Sequence, residues 1–363
     1  GASLDAEGLR GEYQRKGTKW DDVVSNIELL KETSPEVDFY ISATVSAYNA
    51  WHITDFHRSW VDKGYIRPGD WYMKWNMSCV LPFTNVEART DGTMSVCCIM
   101  QDHAKHTDGT SMNLSKGDTL TDLRKSKWLK NLQRDFSNGK KPDACNNCWR
   151  EEEAGITSKR QRENLFWEDW RPGRSTDVKE GIVLSLDLKL GNICNSKCRI
   201  CSSFASSQWV AEESKWEPET AHLKKAINKQ GMWPQTNDDF WTDIDYHLEH
   251  VEKLEFYGGE PLLIDKHFEI LQKVIDAGRA DQVMLSYNTN GSIYPEKHID
   301  LWKQFKKVEL FFSIDDVYDR FNYIRHPGNF QDVMNNFNKF RHLAMDPRNG
   351  NYDIGIFQTV SIY

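Results

Sequence analysis

The sequence predicts an α/β protein: a parallel sheet built by alternating strands and helices, with a small cysteine-rich domain ahead of it. Three observations predict this. Strand and helix signals alternate from residue 182 to the end. The eight cysteines fall into three tight groups: Cys79 with Cys97 and Cys98, Cys145 with Cys148, and Cys194, Cys198 and Cys201. At 363 residues, 39% of them hydrophobic and 28% charged, the chain can form two or three packed domains.

Residues 182–190 (Ile-Val-Leu-Ser-Leu-Asp-Leu-Lys-Leu) alternate apolar and polar, the period of a strand. Further strands are predicted at 253–257, 283–287, 308–314 and 353–361, and helices at 265–277, 295–305 and 330–343. Asp265 suits the first helix as an N-cap, Gly278 stands just past its end, and Pro295 suits the first turn of the next. The stretch 217–247, rich in Glu, Trp, Asn and Asp, fits the alternation less well and is predicted to be an insertion over the sheet.

Residues 76–170 have a different character. They hold short strand-like pieces, the turn Asp91-Gly92 and a helical pattern at 119–136 carried by Leu120, Leu123, Trp128, Leu129 and Leu132. Five of the cysteines lie here, which predicts a small metal-stabilised domain. The charged run Glu151–Glu163 reads as a solvated helix face or a linker. The tryptophans around this region, Trp71, Trp75, Trp149, Trp167 and Trp170, read as packing rather than as a substrate cage. His103 and His106 read as part of a solvated loop.

Within the first 70 residues, positions 13–48 match positions 323–363 in order. Tyr13, Arg15, Trp20, Asp22, Val23 and Asn26 match Tyr323, Arg325, Phe330, Asp332, Val333 and Asn336 at a spacing of 310. Asp38, Ile41, Thr44, Val45, Ser46 and Tyr48 match Asp353, Ile356, Thr359, Val360, Ser361 and Tyr363 at a spacing of 315. Chance likeness between two helix–strand segments is one reading. The other is that the chain is a window cut from a tandem protein, or a permuted unit.

A net charge of −8 argues against a dedicated nucleic-acid or anionic-membrane surface. No apolar run approaches the roughly 18 residues of a bilayer span. No secretory signal opens the sequence, so a cytoplasmic location is expected. Grouped cysteines in that compartment favour metal ligation over a disulfide framework.

Cys194-Asn-Ser-Lys-Cys198-Arg-Ile-Cys201 follows directly on the first strand of the alternating region. Three thiolates can hold three irons of a cubane cluster and leave the fourth open for a ligand. A zinc site short of one ligand, or three buried thiols, are the competing readings. This spacing after a strand resembles radical S-adenosylmethionine (SAM) enzymes. The resemblance implies a partial parallel (β/α)6 barrel and a 4Fe–4S cluster on Cys194, Cys198 and Cys201. It extends to Gly258-Gly259-Glu260-Pro261 after the second strand, a segment that in the family binds the SAM amino group. By the same resemblance Asn288 stands where the family places a SAM-contacting Thr. Ser313 matches a residue contacting the SAM ribose or carboxylate, and Arg325 one able to pair with the carboxylate. Ile200 falls against the adenine. Plain core for Ile200 and a surface ion pair for Arg325 stay open.

Cys79, Cys97, Cys145 and Cys148 supply four thiolates, enough to close a second site. Gly92 stands five residues before Cys97, and a Cys-x2-Cys follows. This resembles the twitch domain, a shortened SPASM-like auxiliary-cluster domain. A second 4Fe–4S cluster is implied, with zinc as the alternative, and Cys98 competes with Cys97 as ligand.

The expected organisation is therefore residues 1–75 resembling part of a preceding barrel, 76–175 a twitch-like domain, and 176–363 a radical SAM domain. The expected function is reductive cleavage of SAM to a 5′-deoxyadenosyl radical that abstracts hydrogen from a peptide or protein. A small sugar or nucleoside substrate and a non-catalytic iron–sulfur or zinc module are the alternatives. An electron donor such as flavodoxin or ferredoxin is the expected partner, with no membrane and no nucleic acid.

Overall fold

The structure, a computed structural model, describes residues 17–33, 41–45, 53–65, 71–75, 79–171 and 181–360, together with Leu9 and Glu12. Its contacts divide the chain into two compact units. One comprises Gly1–Cys79, Phe136–Lys140 and Asn164–Ser175; the other comprises Val80–Asp135, Lys141–Glu163 and Thr176–Tyr363.

In the first unit, helix α1 (Trp20–Thr33) precedes strand β1 (Ile41–Val45), helix α2 (Ile53–Asp62) and strand β2 (Trp71–Trp75). β1 and β2 pair in parallel from Ile41↔Trp71 to Val45↔Trp75, so the segment is a βαβ unit. Phe56 and Trp60 lie four apart, hence on one face of α2, and both are buried. Their rings meet edge to face at 5.2 Å, and Trp20 of α1 approaches them at 6.0 and 5.9 Å.

The second unit is built on a seven-stranded sheet in the order β4-β3-β5-β6-β7-β8-β9. Its strands are β3 (Asn85–Ala88), β4 (Met94–Ser95), β5 (Ser185–Leu188), β6 (Lys253–Phe256), β7 (Met284–Thr289), β8 (Lys307–Ser313) and β9 (Tyr352–Phe357). β4 is antiparallel to β3 and every other pairing is parallel. The parallel pairs require crossovers, and helices supply them. In chain order the longer helices of this region are α3 (Leu120–Lys125), α4 (Lys127–Ser137), α5 (Asn146–Glu153), α6 (Lys159–Trp170), α7 (Val210–Trp216), α8 (Ala221–Gln230), α9 (Asp238–Leu248), α10 (Asp265–Asp276), α11 (Tyr318–Ile324) and α12 (Phe330–Met345).

One set of alternating strand residues, Leu186, Leu188, Leu254, Phe256, Leu285, Tyr287, Leu310 and Phe312, is buried. α10 contributes Phe268, Ile270, Leu271 and Val274 to the buried core, spaced as a single helix face. α9 and α12 start under Asn caps: Asn237 Oδ1 accepts from the Phe240 N–H and Asn329 Oδ1 from the Asp332 N–H.

The predicted strands are all present, and four differences have physical causes. The stretch 217–247 is not a simple insertion: α9 buries Phe240, Ile244, His247 and Leu248 and forms the crossover between β5 and β6. The helical pattern at 119–136 breaks at Ser126, which is extended and whose Oγ accepts from the Leu129 N–H. The predicted helix at 295–305 shrinks to two short turns, Glu296–His298 and Ile299–Trp302. Residues 85–95 are strands of the main sheet, because all four residues of β3 are buried and pair with β5 in register from Asn85↔Ser185 to Ala88↔Leu188.

The internal match sets α1 against α12, whose first residues are 310 apart. The second half of the match maps β1 onto residues 356–360, of which only Ile356 and Phe357 lie in β9. Tyr13, Arg15, Asp38, Ser46, Tyr48, Ser361 and Tyr363, and the expected boundary at 175/176, lie outside the described residues. Among the described residues no helix is long and apolar enough to cross a membrane.

Candidate active site

Because β5 to β9 run parallel, the loops that leave their C-terminal ends gather at one edge of the sheet. The three-cysteine loop leaves β5, the Gly-Gly-Glu-Pro turn leaves β6, the Asn-Thr-Asn-Gly turn ends β7, and Ser313 closes β8. Hydrogen bonds then join these loops to one another.

The Gly258–Gly259 turn packs directly on the cysteine loop. Both glycines have positive φ (78° and 60°), and a Cβ at Gly259 would stand 2.3 Å from the Ile193 carbonyl oxygen. A Cβ at Gly258 would stand 2.8 Å from that of Lys189. Glycine is the residue that permits both the conformation and the approach. The Glu260 N–H then donates to the Ile193 carbonyl at 2.8 Å.

Glu260 itself is fully buried. Its carboxylate accepts from Thr289 Oγ1 at 2.7 Å, from the Asn290 N–H at 2.7 Å and from the Leu262 N–H at 3.3 Å. Burial pushes its pKa up to about 7 against the pull of those donors. In this structure the carboxylate is a strut between two strand-end loops. Asn290 extends the strut: its Nδ2 donates to Asn195 Oδ1 at 2.8 Å and to Ser196 Oγ at 3.2 Å, both inside the cysteine loop. Asn288 Oδ1 is buried with no hydrogen-bond partner. An orphaned acceptor at the position expected to touch a ligand suits a site that a donor group would complete.

On the other side the loop is stitched to the end of α11. The Arg199 N–H donates to the Ile324 carbonyl at 2.8 Å and the Lys197 N–H to the His326 carbonyl at 2.6 Å. Arg325 donates through Nε to Asp315 Oδ2 at 2.6 Å and through Nη1 to Cys198 Sγ at 3.8 Å. Its ion pair is thus with an internal carboxylate. Asp315 had no signal in the sequence beyond its place after β8. Ile200 is 40% exposed beside the cysteines, open to contact rather than core.

The three thiols are partly or wholly buried. Burial pushes Cys194 up to about 11, and it raises Cys198 and Cys201 as well. Binding iron as thiolates would therefore release protons. The Ser196 N–H donates to Cys194 Sγ at 3.4 Å, and Arg325 to Cys198, so the loop carries donors suited to anionic sulfur. Three soft donors on one loop, N–H groups aimed at two of them, and a glycine turn pressed against the loop fit an iron–sulfur cluster with an open iron. Among the described residues no three His, Cys, Asp or Glu side chains converge on one ion's position.

Four of the other five cysteines form two pairs. Cys97 and Cys98 are neighbours in a turn after β4. The proximity of Cys97 pulls Cys98 down to about 6, helped by Lys159 and Lys189, while Cys97 is raised. Cys145 and Cys148 open α5. The two pairs are tied by Asn147 Nδ2 donating to the Ile99 carbonyl at 2.8 Å and the Gln101 N–H donating to the Ala144 carbonyl at 2.9 Å. Gly92 is locked by sterics: a Cβ there would stand 2.6 Å from Asn113 Oδ1. Cys79 belongs to the first unit and the other four to the second.

The sheet also carries a buried ionic layer. Glu87, Asp187 and Glu255 stand side by side across β3, β5 and β6. Lys189 pairs with Glu87 at 2.7 Å and Asp187 at 3.2 Å, and Lys253 with Glu255 at 3.2 Å. Asp187 is pushed up to about 8 by burial. Charges alternating with leucines in 186–189 and 253–256 mark strands whose second face is also covered.

The family model of the radical SAM superfamily matches residues 188–361. This stretch is a radical SAM domain. The matched region runs from the end of β5 through β9 and contains the cysteine loop, the glycine turn, Asn288, Ser313 and Arg325. A domain of this kind indicates an enzyme of the radical SAM type, and the family implies a 4Fe–4S cluster and SAM. No curated protein matches the chain.

Proposed function

We propose that this enzyme cleaves SAM reductively and uses the radical to abstract hydrogen from a peptide or protein, with a second 4Fe–4S cluster on Cys79, Cys97, Cys145 and Cys148. The observation that carries the reading is the cysteine loop held on two sides. The glycine turn and Asn290 clasp one side, and the Ile324–His326 segment clasps the other. Cys194, Cys198 and Cys201 would hold the SAM cluster. When bound there, the cluster supplies one electron to SAM, yielding methionine and a 5′-deoxyadenosyl radical. The protein's own part is to orient SAM through Gly258, Gly259, Asn288 and Ser313, to set Ile200 against the adenine, and to exclude water.

Resemblance to twitch-bearing relatives supports the peptide substrate and the second cluster, and the tie between the two cysteine pairs supports a shared auxiliary site. A flavodoxin or ferredoxin in the cytoplasm would supply the electron.

The test is anaerobic reconstitution, assay of iron, sulfide and zinc, then incubation with SAM and dithionite. About eight irons per chain with 5′-deoxyadenosine formed is the expected result. About four irons with one zinc would replace the second cluster by a structural metal. Folded protein that takes up no iron would overturn the reading.

A further inference from the structure

We propose that Arg325, anchored by Asp315, sets the reduction potential of the cluster held by Cys194, Cys198 and Cys201, acting as a positioning residue through the Cys198 sulfur. This rests on the radical SAM reading of that loop and adds a role for two residues beside it.

The geometry has three parts. First, the anchor is rigid. Asp315 is buried, its Oδ1 accepts from the Thr359 N–H at 2.9 Å, its Oδ2 accepts from Arg325 Nε at 2.6 Å, and its own carbonyl accepts from Gln358 Nε2 at 2.8 Å. The carboxylate cannot turn away without breaking contacts to the segment after β9. Second, with Nε engaged, Nη1 is directed at Cys198 Sγ, 3.8 Å away. Third, the backbone around Arg325 is tied to the cysteine loop. The residues on both sides of Arg325, Ile324 and His326, accept backbone hydrogen bonds from Arg199 and Lys197, which flank Cys198. The Arg325 N–H is itself held by the Phe321 carbonyl at 2.8 Å.

A guanidinium donating to a cluster-ligating thiolate favours the more negative, reduced cluster. Hydrogen bonds to the sulfurs and local charge are among the factors that set iron–sulfur potentials. The side chain is only 12% exposed, so solvent screens the interaction weakly. Arginine is suited to the task because its fork satisfies a carboxylate and a sulfur at once, which a lysine ammonium at the same backbone position cannot reach together. An arginine serving only as a salt-bridge partner for the SAM carboxylate would need its paired donors facing the ligand. Here one edge is committed to Asp315.

The experiment is a redox titration of the reconstituted full chain, following the EPR signal that changes on adding SAM, for the wild type, Arg325→Gln and Arg325→Lys. SAM affinity of the oxidised proteins is measured alongside. The midpoint potential is expected to move to more negative values in Arg325→Gln and by a smaller amount in Arg325→Lys. An unmoved potential in Arg325→Gln overturns the proposal, whatever happens to SAM affinity. If Arg325→Gln takes up no iron, Arg325→Lys decides alone: a downward shift supports the role and no shift overturns it. A wild-type protein without iron would instead sink the radical SAM reading beneath it.

Discussion

The two cysteine regions are assembled in opposite ways. The loop at 194–201 carries its three thiols within eight consecutive residues, and the fold supplies only the clasp around them. The pairs at Cys97–Cys98 and Cys145–Cys148 come from segments almost fifty residues apart, joined by side-chain and backbone hydrogen bonds between the 99–101 turn and the start of α5. A contiguous ligand set survives local disturbance, whereas one brought together from distant segments depends on every tie between them. The first site should therefore tolerate changes in its surroundings better than the second.

The largest effect expected is loss of a ligand. Cys198→Ala should abolish 5′-deoxyadenosine formation and lower iron by about four per chain. Cys148→Ala should lower iron by a similar amount yet leave the EPR change on SAM addition intact. Loss of that change in Cys148→Ala would erase the distinction between the sites.

Next come the glycines. Gly259→Ala forces a Cβ to 2.3 Å from a backbone oxygen at φ 60°, so SAM affinity should fall at least tenfold and the melting temperature should drop. Gly155→Ala, near the second site, also has positive φ (75°) but open space around it, and should cost only about 1 kcal/mol. Equal melting shifts for the two would mean that the close approach to Ile193 does not matter.

Glu152 tests the frame of the second site. It accepts from Arg160 Nε at 3.0 Å and Nη2 at 2.6 Å and from Ser158 Oγ at 2.6 Å. Glu152→Gln removes the charge from this buried hydrogen-bonded set and should cost about 1–3 kcal/mol in denaturant melts. It should reduce iron at the second site more than at the first.

The most gradual effect, spread over more than two pH units, is a pH dependence carried by the first site. The pKa of Glu260 is raised in the folded protein to about 7 from an ordinary value of 4.5. Between those values the unfolded chain binds fewer protons than the folded one, so stability falls as pH rises through that window and levels off above it. The slope is at most roughly 1.4 kcal/mol per pH unit. Urea melts from pH 4.5 to 8 should show it, and Glu260→Gln should flatten it.

Much of this was legible because it is written in short-range pattern. The period of two in 182–190 yields β5, the helical spacing in 265–277 yields α10, and the cysteine spacing yields the first site. The sequence places β3 in a separate domain because a four-residue strand has too little pattern to reveal its partner. α9 looks like an insertion in the sequence because its acidic surface face hides the buried stripe of Phe240, Ile244 and Leu248.

The sequence by itself determined that three thiols lie together after a strand and that two glycines follow the next one. Covalent spacing alone dictates those facts. Only the tertiary structure decided that Glu260 braces Asn290, that Asn290 braces the cysteine loop, and that Asp315 turns Arg325 toward Cys198. Those contacts join residues up to 127 positions apart. Their strength comes from burial, where a paired charge is retained and an unpaired one is costly, and no local pattern encodes burial.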